Sequence, residues 1–385
     1  MELEYLTSGE VIAGVLRQFL PVWIGMALIL GPSFVWRRRL GFYGRIFGSG
    51  IGVGGLSLVV FWLLTALMAD WVAVSDAYQQ LRALQNKSPG AVDPESGLVY
   101  LFGGDMLGRD VFSRMVYGSR TVMAIAPLAT LFAYMIGITL GLPAGYFGGW
   151  LDTALSFLAN LVLAFPVILL FYLLVTPEIR ETAIPGTMAA VLFIFPVAFL
   201  LIFFWSRFRE RPEVVWYYIV PVLLGGGFVY LGLTGLWDPT GVIAMDANTL
   251  NIFLAVVFVT APTVFRIVRG LTLDIKTRDY VAAAQTRGER PWYIMMWEIL
   301  PNARGPLIVD ACLRIGYTTI LLGTLGFFGL GVSPESPDWG STINEGRKLL
   351  RLYVHPALPP ALAIMSLVLG LNLLADALRE ESLKD

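Results

Sequence analysis

Side chains that could do covalent or acid–base chemistry are few and scattered in this chain. It has one histidine, His355, and one cysteine, Cys312, among 385 residues. One cysteine allows no intrachain disulfide and no cysteine-based metal site. One imidazole with no nearby cysteine or paired carboxylates lacks the partners of a zinc centre, so His355 is expected to be structural. GSGIGVGG at 48–55 superficially suggests a phosphate loop, but no Lys-Ser/Thr follows, and no G-x4-G-K-[ST] occurs anywhere. ATP binding by that route is excluded. Its small residues are expected to let helices approach closely, as are Gly137, Gly141 and Gly145 at four-residue spacing. No H-E-x-x-H, Ser-His-Asp set or paired-carboxylate pocket is legible, and the chain is not read as an enzyme. Asp310 and Arg314 are i,i+4 early in an apolar span, where an ionisable residue is a functional candidate by default. Each supplies the other's partner, which favours a neutralised structural pair.

The pattern that does suggest work is mechanical. Residues 278–301, RDYVAAAQTRGERPWYIMMWEILP, are helix-forming and carry Arg278, Asp279, Arg287, Glu289, Arg290 and Glu298, with Arg304 just beyond. Apolar spans flank the stretch, so it is expected to be a cytoplasmic loop between them. Small residues at Ala282, Ala283 and Ala284, a turn at Gly288 and a stop at Pro301 give it the shape of a docking element. A solvated connector would leave the pattern A-A-x3-G-x11-L-P unexplained.

The elements that hold this loop are membrane spans. The chain is 57% apolar and 14% charged, against about a quarter charged in soluble domains, and several apolar runs exceed the roughly 18 residues that cross a bilayer as helix. The class is all-α, a polytopic transmembrane helical protein. Nine spans are expected, at 16–36, 46–69, 121–143, 151–175, 186–206, 213–235, 251–270, 307–330 and 356–378. The start, MELEYLTSGE, is acidic where a signal peptide needs positive charge, so 16–36 is read as a retained span; Arg17 and Pro21 make it the weakest. With 271–306 in the cytoplasm, the clusters RRR at 37–39 and RFRER at 207–211 also fall inside, with Arg379 and Lys384, while Arg180 falls outside. This puts the N-terminus out and the C-terminus in. In the external loop 70–120, Val111, Phe112, Met115 and Val116 share a helical face and Asp110 and Arg114 are spaced to pair. That suggests a surface helix, or simply a lead-in to the next span. Pro and Gly in the external loop 331–354 argue against helix there. The net charge of −1 gives no argument for nucleic acid.

On these residues, the loop is similar to the coupling-loop motif E-A-A-x3-G-x9-I-x-L-P of permease subunits of binding-protein-dependent ABC importers. Within that superfamily the chain resembles the second permease subunit of the dipeptide/oligopeptide/nickel group. LGRDVFSRMVYGSR at 107–120, GLPAGYFGGWLD at 141–152 leading to AFP at 164–166, GFFGLGVSPESPDWGSTINEGR at 326–347 and NLLADALRE at 372–380 match in the family's order. Two positions depart: Ala282 stands where the motif has Glu, and Glu298 where it has Ile or His. The resemblance implies a six-span type I permease core with about three extra spans. The divisions are an added span and basic turn (1–45), core (46–175), an inserted two-span hairpin (176–249) and core again (250–385). It also implies a bacterial inner-membrane location and import of peptides or similar small solutes. The implied partners are a second permease, two ATPase subunits that bind ATP and Mg, an external solute-binding protein and lipid. Coupling is assigned to Ala282, Ala283, Ala284, Gly288, Leu300 and Pro301, with Ala284 in close contact with an ATPase groove and no cofactor in this chain. The apolar insert offers few groups to a polar solute and is expected at the periphery. Two other classes are a secondary transporter or channel, which needs a polar midplane site, and a structural membrane subunit, which needs no docking loop.

Overall fold

The computed structural model describes residues 4–176, 179, 182–235, 237–241, 245–330 and 335–382; Arg180, Lys384 and the GVSP run at 331–334 lie outside them. The protein is all-α, with one two-stranded hairpin among the described residues. Seven helices are long and apolar enough to cross a membrane, and two bent helix pairs bring the number to nine when each pair is one span. These are the nine stretches expected from hydropathy. The chain forms two compact units, Met1–Pro127 with Val309–Asp385, and Leu128–Ile308.

In the first unit, the N-terminal span is a bent pair: α1 (Ser8–Gln18) and α2 (Leu20–Val35) meet at 50°. A Thr7–Glu10 capping box starts α1. Pro21 lies in the first turn of α2, where its missing N–H costs nothing and its ring ends the preceding helix. Arg17 thus closes α1, outside the apolar α2. Ahead of α1 the chain joins the hairpin β1 (Ala91–Val92) and β2 (Val99–Tyr100): Tyr5 bridges Ala91, and Leu6 N donates to Gly90 O at 2.9 Å. The N-terminus and the 70–110 loop therefore share one side of the membrane.

The span α3 (Gly50–Leu67) crosses the last helix, α13 (Leu358–Ser382), at glycines. A Cβ on Gly55 would lie 2.6 Å from Leu374 N, and one on Gly370 2.6 Å from Leu58 Cβ. Lipid is as apolar as leucine, so backbone approach of this kind supplies the packing energy between spans.

Two expectations change in this unit, and of the two alternatives for residues 111–116 the lead-in to the next span holds. Residues 111–116 are not a surface helix but the first turns of α4 (Val111–Phe147), a single 37-residue helix in which Val111, Phe112 and Val116 are fully buried. Asp110 and Arg114 do not pair. Asp110 caps α4, accepting from Phe112 N at 3.2 Å and Ser113 N at 3.0 Å, and its carboxylate is thereby turned onto the backbone. The 331–354 loop does contain a helix, α12 (Trp339–Arg347), capped by Asp338. Its glycines are contact points: a Cβ on Gly340 would lie 2.3 Å from Gly323 O.

In the second unit, the Gly137–Gly141–Gly145 stripe of α4 meets α9 (Ala247–Ile275). Added Cβ atoms would lie 2.5 Å from Val264, 2.9 Å from Val268 and 2.7 Å from Thr272. The span at 151–175 is a second bent pair, α5 (Gly149–Ala164) and α6 (Val167–Val175), turned by 79°. Pro166 forces Phe165 into an extended conformation, φ −81° and ψ 132°, which helix cannot use. The hairpin α7 (Ile184–Phe208) and α8 (Pro212–Leu233) follows. The buried Phe193 of α7 sits between Phe132 and Phe253, with ring centroids 5.5 and 5.8 Å away. Very little of α8 is buried, and its Tyr218 stacks on Phe204 of α7 at 5.1 Å.

Candidate functional site

The charged stretch after α9 folds as a compact lever within the second unit. Its mounting is electrostatic. Arg269 of α9 grips Asp152 of α5 through two contacts, one at 2.6 Å, and Lys276 Nζ donates to Gly145 O at 2.8 Å. That places a cation on the last carbonyls of α4, where the helix dipole favours it.

Arg278 then turns extended and α10 (Asp279–Thr286) begins. One face of α10 is internal: Val281 and Ala284 are fully buried. Ala282 and Ala283 face outward and are exposed. This corrects the assignment of Ala284 to a partner's groove, because its methyl is taken up by the chain's own packing. Gly288 ends the helix at φ +80°. Its N–H donates to Gln285 O at 2.9 Å, and Glu289 N donates to Ala284 O at 3.1 Å. These two bonds form a Schellman cap, which needs a left-handed residue at that position.

The return limb runs from Pro291 through a π-helical segment, Ile294–Ile299, to a last turn at Leu300–Asn302. Pro301 was expected to stop this helix. Instead it lies within the final turn, and the break falls at Ala303, ahead of α11 (Arg304–Phe327). Pro301 lacks an N–H and its ring would strike the carbonyl four residues back. A π segment just before it relieves that clash. Ile294, Met295, Met296 and Ile299 are buried, while Pro301 is exposed and Leu300 half-buried.

Glu298, the departure from the family pattern, has a local role here. Arg287 Nη2 donates to its carboxylate at 2.9 Å, which ties the end of α10 to the return limb. Gln285 Nε2 donates to Tyr146 Oη at 3.2 Å at the end of α4. Arg278, beside the start of α10, is held above its ordinary range by the adjacent Asp274 carboxylate, 2.9 Å away.

A further support comes from α7. Trp297 Nε1 donates to Ser206 Oγ at 3.1 Å, and Arg207 Nη1 donates to Tyr293 Oη at 2.8 Å. Phe203 packs on Trp297 at 4.7 Å between centroids. Sequence reasoning missed this. The available signal was Tyr293 and Trp297 at i,i+4 in an otherwise charged loop, but nothing in the sequence says what they face.

The motif stretches at 107–120 and 326–347 meet in the first unit. Arg109 and Arg114 are buried, and Arg109 Nε contacts Asp105 at 2.7 Å. Glu345 of α12 contacts both guanidiniums, Arg114 at 3.4 Å. Trp339 Nε1 donates to Met115 O at 2.7 Å. Burial raises the Asp110 carboxyl to about 6 and also raises Asp338. His355 is a structural residue, its Nε2 3.2 Å from Gly104 O, and burial pushes its imidazole below its usual range. Asp310 and Arg314 do pair, at 2.6 Å, as their spacing predicts. Among the described residues no group of three metal-ligating side chains occurs.

Residues 137–380 match the family described as the binding-protein-dependent transport system inner membrane component. A glutathione transport system permease protein, GsiD, from Pectobacterium atrosepticum is 29% identical over 345 residues, covering 90% of this chain and 88% of that protein. The dipeptide transport system permease proteins DppC of Alkalihalophilus pseudofirmus and Haemophilus influenzae are 26% and 27% identical, over 86% and 85% of this chain and 84% and 88% of their own lengths.

Proposed function

Because the chain belongs to the binding-protein-dependent transport system inner membrane components, we propose that its 278–301 lever is where ATP-driven motion enters. The chain is a multi-pass inner-membrane permease subunit of a binding-protein-dependent ABC importer. Peptides, including modified tripeptides of the glutathione kind, are its proposed solutes, because the relatives are named for glutathione and dipeptide transport. The proposed assembly holds a second homologous permease, two ATPase subunits that bind ATP and Mg, and an external solute-binding protein. We place the C-terminus in the cytoplasm, with the lever.

The observation that carries the coupling role is the construction of the lever. A Schellman turn at Gly288 and the Arg287–Glu298 pair hold its two limbs together. α9 and α11 leave its two ends. A push on Ala282 and Ala283, the small outward face of α10, is then passed to α9 as rigid-body motion rather than absorbed by loop bending. α9 is geared to α4 by the glycine stripe. Two spans move together, and alternating access to the solute path is the result. Leu300 and Pro301 set the angle at which α11 leaves. ATP hydrolysis is assigned to the partners, so this chain stays non-catalytic.

The test is cross-linking. A cysteine at Ala283, in a background lacking Cys312, should cross-link to a co-purifying ATPase subunit, with a yield that changes when ATP is trapped. A cysteine at Ala284 should react poorly because that position is buried. Purification without any ATPase, or equal cross-linking at both positions, would overturn the assignment.

A further inference from the structure

The hairpin turn between α7 and α8 and the turn of the lever enclose a cleft of about 360 Å³. Arg207, Arg209 and Arg211 line one wall, with Glu210. Arg290 and Glu289 line the other, beside Gly288. Four arginines less two glutamates leave a formal charge of +2 in the cleft. The two carboxylates do not quench the arginines pairwise. Glu289 leans to Arg287, 4.0 Å away, and among the described residues neither Arg211 nor Arg290 has a carboxylate within ion-pair distance. Arg207 is fixed by Tyr293 and lies over the Trp297 ring at 5.0 Å, and Arg209 lies over Trp205 at 4.6 Å. Like charges on two facing walls repel unless a counterion is supplied.

We propose that this cleft is a binding site for a phosphate-bearing anion, the headgroup of an anionic phospholipid, and that its occupancy links the inserted hairpin to the lever. Guanidiniums match phosphate oxygens in a two-point geometry that water or a halide does not reproduce. The depth argues for lipid. The cleft lies where α7 ends and α8 begins; its neighbours along the chain are Trp205 in the last turn of α7 and the exposed Trp216, Tyr217 and Tyr218 early in α8. Indole and phenol rings collect at the headgroup level, with their polar edges toward water and their bodies toward the acyl chains. A phosphate held there touches both walls, so lipid composition sets how firmly α7 braces the lever. The regulatory consequence rests on the coupling role proposed above; the binding site does not.

The full-length protein, with whatever subunits co-purify, is exchanged into detergent doped with phosphatidylglycerol or phosphatidylcholine, and retained lipid is counted by native mass spectrometry. Wild type should retain phosphatidylglycerol in preference. The double variant Arg211→Gln, Arg290→Gln should retain it roughly thirtyfold less, at about one headgroup-level charge contact per arginine. Arg211→Lys, Arg290→Lys keeps the charge without the two-point geometry and should fall between. Arg37→Gln, Arg38→Gln, in a different basic cluster, should match wild type, and all variants are checked for monodispersity. Equal retention of both lipids by wild type, or undiminished retention by the Gln variant, would overturn the site. Displacement of phosphatidylglycerol by millimolar inorganic phosphate would uphold the phosphate chemistry and reassign the occupant to a soluble anion. If lipid retention behaves as expected but no ATPase co-purifies, the site stands and the coupling reading falls.

Discussion

Replacing Gly288 by valine is the sharpest perturbation of the lever. The residue sits at φ +80°, and a Cβ built on it meets nothing within 4 Å. Any penalty is therefore conformational, with no steric clash to confuse it. The left-handed region costs an L-residue about 1–2 kcal/mol, and a β-branched side chain pushes that toward about 3 kcal/mol. The alternative is for the chain to leave that conformation, which breaks the bonds from Gly288 N and Glu289 N that cap α10. A strain of about 2 kcal/mol depopulates the capped turn roughly thirtyfold, enough to uncouple a lever that works only when stiff. Asparagine tolerates the left-handed region far better, so the expected order of activity is glycine, asparagine, alanine, valine. The assay is ATP-dependent uptake of a labelled dipeptide into proteoliposomes, with size-exclusion chromatography to confirm insertion and assembly. Normal uptake by the valine variant would refute the reasoning. Equal loss with asparagine and valine would also do so, since it would point to missing space rather than to φ.

Valine at Gly137 or Gly141 should lower the melting temperature in detergent by overpacking the α4–α9 crossing, at about 1–3 kcal/mol; an unchanged melt would mean the stripe is not a packing face. Glu298→Gln should weaken the largely solvent-facing strap to Arg287 by only about 0.2–1 kcal/mol, seen as a small, salt-sensitive loss of coupling efficiency; a loss as large as that of Gly288→Val would contradict this. The Asp110 carboxyl is raised to about 6 by burial, so its contribution to stability is full below the unfolded carboxyl value and is lost as pH rises through about 6. Asp110→Asn keeps a cap for α4 without the charge, and should flatten the pH dependence of hydrogen exchange in the external loop between pH 5 and pH 7.5, judged against wild type. Cysteines at Arg209 and Asp238, on either side of α8, should react with an impermeant thiol reagent from opposite sides, and labelling of both from outside would show that the α7–α8 insert is not a transmembrane hairpin.

The spans were legible because hydropathy over a bilayer's length is a strong, local signal. Even their bends were written in the chain, at Pro21 and Pro166. Local rules failed where tertiary contact decides. α12 was hidden by glycines that usually break helices, yet Gly340 and Gly346 are there to let backbones touch: a Cβ on Gly346 would lie 2.7 Å from Ala357 N. The i,i+4 rule for Asp110 and Arg114 assumed that both lie inside a helix. Asp110 lies at its cap, and Arg114 reaches Glu345, far along the chain. Within the lever, the A-A-x3-G spacing announced a helix and its left-handed stop. Which alanine faces out depends on what packs beneath, and α10 packs on the π segment of the return limb, in which Met295 and Met296 are buried.

The insert shows the same division between composition and geometry. Its lack of polar groups argues for a peripheral place, and α8, stacked on α7, buries little of its surface. The argument does not extend to α7, because composition describes the length of a helix and says nothing about what its end touches. That end carries Ser206 and Arg207, and each finds a polar partner on the return limb of the lever. The hairpin thus has one firm contact with the part of the molecule proposed to move. Stiffness matters at such a contact. Motion of the lever must carry Trp297 and Tyr293 with it, and either α7 follows or two hydrogen bonds and a ring contact are broken. In the first case the membrane around the hairpin resists the stroke; in the second, the bonds set a threshold for it. Either way, the hairpin alters the energy of moving the lever.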